Sequence, residues 1–108
     1  MTLSFMPPVG AWAQLLRRRF AAAGMTTPDQ VFGLAWSGAM TSPRLAGLIA
    51  HLPEGLSEIY LHPAKTAYFA GAAPGYRYEE ELAAVTDSAV IEAARASGAE
   101  RGGFSDFL

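Results

Sequence analysis

Apolar residues recur along the chain with changing period, and each change marks a new element. From residue 10 to residue 23, Trp12, Leu15, Leu16 and Phe20 return at helical spacing with Gln14 and Arg17, Arg18 and Arg19 between them. Gly24 supplies a C-terminal stop. After the turn Thr26-Thr27-Pro28-Asp29, the unbroken run Val31-Phe32-Gly33-Leu34-Ala35-Trp36 predicts a strand buried on both faces, as in a parallel sheet. Ser42 as N-cap and Pro43 at the first helical position then open a helix. Leu45, Leu48, Ile49 and Leu52 share its apolar face, and Pro53-Glu54-Gly55 closes it. His51 falls off that stripe in the last turn, where the helix dipole favours an imidazole at the surface. Residues 56–62 form the second predicted strand, stopped by Pro63. Helix, strand, helix, strand is an order that makes the strands parallel neighbours, with their C-terminal ends at one edge.

Residues 63–76 show no period and read as a long loop, carrying Lys65, Tyr68, Phe69 and Tyr76 among small residues. Such a loop either covers a pocket or packs the domain. Residues 78–85 predict a short helix with Glu79, Glu80 and Glu81 in its first turn, where the dipole favours them. Arg77 and Glu81 stand four apart, at the spacing of an exposed ion pair. Thr86-Asp87-Ser88 caps a further helix through Ala89, Val90, Ile91, Ala94 and Ala96, which Gly98 stops. The tail, residues 99–108, is long enough for one edge strand, against which Gly102-Gly103 argues.

With 108 residues and 51% hydrophobic content, the chain makes one small domain with apolar mass for a core. A net charge of −2 gives no electrostatic case for nucleic acid, and the arginine triplet reads as a solvated face. The absence of cysteine excludes disulfides and thiolate metal sites and fits a cytoplasmic protein. Two histidines are too few for an all-histidine metal site. Residues 1–8 lack the character of a signal peptide, and no apolar run is long enough for a transmembrane segment. Leu3, Phe5 and Met6 leave a peripheral contact with the inner membrane open.

Candidate chemistry gathers on the second strand. Side chains alternate there, so Glu58, Tyr60 and His62 share one face while Ile59 and Leu61 take the other. The imidazole ends the strand, at the edge where parallel α/β proteins place their sites. It reads either as a core histidine satisfied by a backbone carbonyl or as a catalytic group. Glu58 is about 13 Å away along an extended strand and suits orienting a neighbour. Trp36 and Ser37 bring an aromatic ring and a hydroxyl to the mouth of the first strand, facing the same surface as His62. A tryptophan there plugs the core, binds ligand, or does both.

Three blocks in order carry a resemblance to a known family. They are Thr27-Pro28-Asp29-Gln30-Val31-Phe32-Gly33-Leu34-Ala35-Trp36-Ser37-Gly38-Ala39-Met40, then Leu52 to Pro63 with Glu58-Ile59-Tyr60-Leu61-His62-Pro63, then Tyr76-Arg77-Tyr78-Glu79-Glu80-Glu81-Leu82 with a closing Gly-Phe-Ser-Asp-Phe. Together they resemble the C-terminal part of YdjC/ChbG-like carbohydrate deacetylases, in particular the hopanoid biosynthesis-associated branch. The resemblance implies an α/β fold: a partial (β/α) barrel with two to three largely parallel strands and flanking helices, residues 1–108 forming a single domain. It implies removal of an acetyl group from an N-acetylated amino sugar, in this branch a hopanoid-linked N-acetylglucosamine.

In that family a divalent metal, Mg or Zn, is held by an aspartate and histidines, with a further aspartate as general base; the ion polarises the acetamide and activates water. Those residues belong to the family's N-terminal half. This sequence has no Asp-Asp pair near its start and no His-x-x-x-His, so no metal is expected in this chain, and it is expected to be inactive alone. His62 matches the family's C-terminal histidine, suited to protonating the leaving amine or binding the oxyanion. Glu58 is assigned beside it, with Trp36, Ser37 and Tyr68 as substrate-binding residues and Arg77 and Glu81 as structural ones. Ala64 stands where the family often has Gly, a change the hopanoid branch accepts. A partial barrel leaves open edges and apolar faces, so a homo-oligomer is expected. The alternative is a non-catalytic oligomerising or glycan- or lipid-headgroup-binding module. A small independent enzyme using His62 with Glu58 is disfavoured by their separation.

Overall fold

Pro28–Arg101 forms one unit of the computed structural model, which describes residues 6–107; the segment up to Thr27 and the tail from Gly102 form another. Leu3 and Phe5, singled out for a membrane contact, lie outside the described residues, as does the last residue of the tail, Leu108. No described helix is long and apolar enough to cross a membrane.

In the smaller unit, α1 spans Met6–Ala22, starting before the predicted residue 10. Pro7 and Pro8 are tolerated there because first-turn N–H groups have no intrahelical partner. Trp12, Leu15 and Phe20 are exposed. Among the described residues the tail forms no edge strand. Phe104–Phe107 is a 3-10 turn, and the Gly103 N–H donates to Asp106 Oδ2 at 2.7 Å, bending the backbone out of the extended form a strand requires.

In the larger unit, β1 (Gln30–Phe32) pairs in parallel with β2 (Ser57–Ile59), matching Gln30 to Ser57, Val31 to Glu58 and Phe32 to Ile59. Asp29 N–H to the Leu56 carbonyl at 2.7 Å and Tyr60 N–H to the Phe32 carbonyl at 2.8 Å extend the ladder at both ends. Both strands are shorter than the sequence suggests. β1 stops at Gly33, whose φ of 103° is open to glycine alone at low cost, and whose absent Cβ leaves room for the Tyr60 carbonyl. The chain then turns through a 3-10 segment, Leu34–Trp36, with Leu34 and Trp36 exposed rather than buried in a strand.

The crossover helix α2 (Ser42–Ala50) is capped one residue earlier than predicted, by Thr41, with Ser42 and Pro43 in its first turn. It ends at His51, whose Nδ1 lies 2.9 Å from the Gly47 carbonyl. α3 (Tyr78–Thr86) and α4 (Ser88–Ala96) follow the long loop. Asp87 ends the first and caps the second, its carboxylate accepting the Ala89 N–H at 2.9 Å. α2 packs on α3 and α4, and Met40, Leu45, Ala84 and Val90 form the core between them. Ile59 and Leu61 of the β2 segment pack against that core, so the predicted alternation places them on the helix side. The α/β class holds; a two-stranded parallel sheet with four helices is present among the described residues, and a barrel is not.

Candidate functional site

With Ile59 and Leu61 turned to the helices, Tyr60 and His62 meet on the opposite side of the strand. Their ring centroids lie 4.6 Å apart, edge to face. Tyr76 approaches the imidazole edge-on at 5.1 Å, Tyr78 lies 5.7 Å from Tyr76, and Phe69 lies 4.9 Å from Tyr78. A continuous aromatic chain thus runs from the end of β2 across the loop to α3. Edge-to-face contacts of this kind fix ring planes as well as burying area. Backbone bonds draw the loop back: Ala64 N–H donates to the Tyr78 carbonyl at 3.2 Å, and Ala73 N–H to the Tyr78 hydroxyl at 2.7 Å. Arg77 N–H to the Gly38 carbonyl at 2.7 Å ties the same region to the segment after the 3-10 turn. Gly38 is buried with φ 77°, and a side chain there would run into the Tyr76 ring.

Beneath the imidazole lies Glu81, fully buried. Tyr78, Glu81 and Ala84 are all buried on α3, whereas Glu79 and Glu80 are exposed. The expected pair between Arg77 and Glu81 therefore does not form; Arg77 meets Glu80 instead, at 3.6 Å. Helical phase is the reason, since Glu81 falls on the stripe that faces inward. Its carboxylate accepts two backbone N–H groups, that of Met40 through Oε2 at 3.1 Å and that of His62 through Oε1. One side chain thereby joins α3, the segment entering α2 and the segment that follows β2. The His62 imidazole adds a third approach: Nδ1 lies 3.9 Å from Glu81 Oε1. Nδ1 is buried without a hydrogen-bond partner, while the side chain as a whole is 24% exposed.

The other residues selected from the sequence are not gathered at this point. Glu58 is half-buried opposite Val31 in the sheet register, and the carboxylate brought to His62 is that of Glu81. Trp36 lines a separate open hollow of about 420 Å³ with Phe32, Pro43, Arg44, Leu48 and His51. There the Arg44 guanidinium lies 5.2 Å over the indole while donating to the Ala39 carbonyl at 2.8 Å. The Ser37 hydroxyl donates to the Leu34 carbonyl at 2.8 Å, closing the 3-10 turn rather than facing His62. Tyr68 is 92% exposed, with only its backbone N–H held, by Thr66 Oγ1 at 3.0 Å. Glu81 is the group that sequence reasoning undervalued. The signal was present in the spacing, because Tyr78, Glu81 and Ala84 recur at helical intervals and place a carboxylate on an otherwise apolar stripe.

Among the described residues no three His, Cys, Asp or Glu side chains converge as metal ligands. His62 and Glu81 make one close pair, and both Glu81 oxygens already accept backbone N–H groups. That donor set does not fit a divalent ion. A scan against protein families matches residues 4–96 to the family described as YdjC-like protein. No curated protein and no solved structure matches the chain.

Proposed function

This chain belongs to the YdjC-like family, which is associated with carbohydrate deacetylases, and on that premise we propose that it forms the histidine-bearing wall of a deacetylase site for N-acetylated amino sugars. One observation carries the reading: His62, three residues past the end of β2, has one nitrogen buried beside a carboxylate and the rest of its ring against aromatic neighbours. Hydrolysis of an acetamide expels an amine, which leaves only when protonated, and a positioned imidazole performs that transfer at neutral pH. Tyr60 and Tyr76 flank it with rings suited to the apolar face of a pyranose. The substrate we propose is an N-acetylglucosamine linked to a hopanoid lipid, as the hopanoid-branch motifs suggest.

The divalent ion, Mg or Zn, that would polarise the acetamide is proposed to bind elsewhere than at His62 and Glu81, whose carboxylate already accepts two backbone N–H groups. It is proposed to sit on the aspartate and histidines that other members carry and this sequence lacks. The chain is accordingly proposed to be silent alone and to work against a complementary, metal-bearing segment, in a location that is cytoplasmic or peripheral to the inner membrane. The test expresses the whole natural reading frame that contains this segment and measures acetate released from N-acetylglucosaminyl lipid with added Mg or Zn. Release is expected, and His62→Ala is expected to lower kcat by about 100-fold or more. Unchanged turnover in the His62 variant would remove the histidine from the reaction.

A second reading has its own observation. The open hollow under Trp36 and Arg44 is largely apolar with a cationic rim, which suits a glycan or lipid headgroup without any chemistry. Titration of the isolated chain with glycosylated lipid, followed by tryptophan fluorescence in a Trp12→Phe background, separates the readings. Saturable quenching without acetate release from the natural protein would favour the binding module.

A further inference from the structure

We infer that Glu81 is the positioning residue for His62, holding its imidazole as the Nδ1–H tautomer so that Nε2 is the nitrogen free to exchange protons. The inference rests on the proposed function for what the exchanged proton does, but not for the tautomer itself. Three observations converge. Glu81 Oε1 accepts the backbone N–H of His62 and so sits at a set position under the very residue whose ring it approaches. A carboxylate oxygen has a second lone pair with which to accept, and His62 Nδ1 lies 3.9 Å from Oε1. Nδ1 is itself buried and without another partner.

A buried polar nitrogen left unpaired is disfavoured, so a small rotation of the imidazole toward Oε1 is the move that satisfies both groups. The ring's two aromatic neighbours offer it no hydrogen bond. Tyr60 and Tyr76 present ring edges and faces at 4.6 Å and 5.1 Å, which restrict the plane in which the imidazole turns. Glu81 cannot retreat, because Oε2 is tied to Met40 N–H on a different segment. A carboxylate only accepts, so the shared proton belongs to Nδ1. The opposite nitrogen is then left with its lone pair, which is what a base needs to take a proton and later deliver it to a leaving amine. The arrangement is that of a carboxylate orienting a histidine, built here from a backbone clamp that doubles as the orienting group.

The experiment is a long-range 1H–15N correlation spectrum of the uniformly labelled chain at alkaline pH, where free imidazole is neutral. The chain contains two histidines, so the signals that vanish in His62→Gln assign the remaining set to His51. The expected result is a His62 pattern with Nδ1 protonated and Nε2 unprotonated. Glu81→Gln keeps the side-chain shape but offers one oxygen in place of two, and its amide nitrogen donates. It is expected to change the His62 tautomer ratio at least tenfold toward Nε2–H, with the His51 pattern unmoved. Glu81→Asp, which keeps the charge on a shorter stem, is expected to restore part of the ratio. A wild-type His62 already in the Nε2–H form would overturn the inference, as would an identical ratio in a folded Glu81→Gln protein. If that variant does not fold, the wild-type tautomer decides alone. Loss of acetate release with the tautomer intact would count against the proposed function and leave this inference standing.

Discussion

Glu81 links three segments of the 28–101 unit, because its carboxylate on α3 accepts the N–H groups of Met40 and His62. Truncation to Ala leaves the N–H groups of Met40 and His62 unpaired, and Met40 is fully buried. Each stranded buried donor costs about 1–3 kcal/mol. Glu81→Ala is therefore expected to destabilise by about 2–5 kcal/mol, measured as a fall in the urea midpoint at constant slope. Glu80→Ala removes only an exposed pair with Arg77 and is expected to change stability by less than about 0.5 kcal/mol. Equal effects from the two substitutions would mean that the buried clamp does not hold the fold. At this scale the sequence showed the residue without its meaning. Three consecutive glutamates look alike as letters, and only the phase of α3 against α2 and β2 decides which of them turns inward.

The elements were legible where their causes are local. Asp87 illustrates the point: a carboxylate between two helical stretches is a cap wherever the helices pack, and it accepts the Ala89 N–H as its position implies. Asp87→Ala is expected to cost about 1 kcal/mol, with Asp87→Asn retaining most of the stability, again read from denaturant midpoints. A neutral Ala variant would show that packing of α4 through Val90, rather than its cap, sets the start of the helix. The strand at Val31 was legible, but the place where β1 ends was not, for the opposite reason. Val31 to Trp36 is an apolar run, yet its backbone direction changes at Gly33, where the Tyr60 carbonyl comes closer than a Cβ permits. That carbonyl lies just past the other strand, so the cause of the turn is distant in sequence. The glycine inside the run was the only local mark of it. The same break explains why Trp36 and Ser37 serve the 3-10 turn and the Arg44 hollow instead of opening beside His62.

At the scale of the molecule, parallel pairing followed from element order alone, because a strand–helix–strand connection of this length permits little else. A closed barrel did not follow, since closure depends on neighbours for both sheet edges. The 28–101 unit has two strands of three residues each, and each strand has one edge unpaired within that sheet. Its surface carries the counterpart of that incompleteness. Val31, Leu34, Trp36, Tyr60, Tyr68 and Phe69 are all exposed, while the fully packed interior is confined to a few side chains around Met40 and Leu45. Scattered apolar residues are ordinary on a protein surface, but a unit with open strand edges and this many exposed large side chains is expected to be covered by another chain. Sedimentation equilibrium of the isolated chain should therefore show concentration-dependent self-association, and dilution should raise the fluorescence of 1-anilinonaphthalene-8-sulfonate as the covered faces open. A monomer at all concentrations with low dye binding would mean that these faces are stable in water without a partner, and would remove the physical argument for a complementary segment. Association that is abolished by Tyr60→Lys, an exposed residue just past β2, would instead place the covering chain directly over the rings that surround His62.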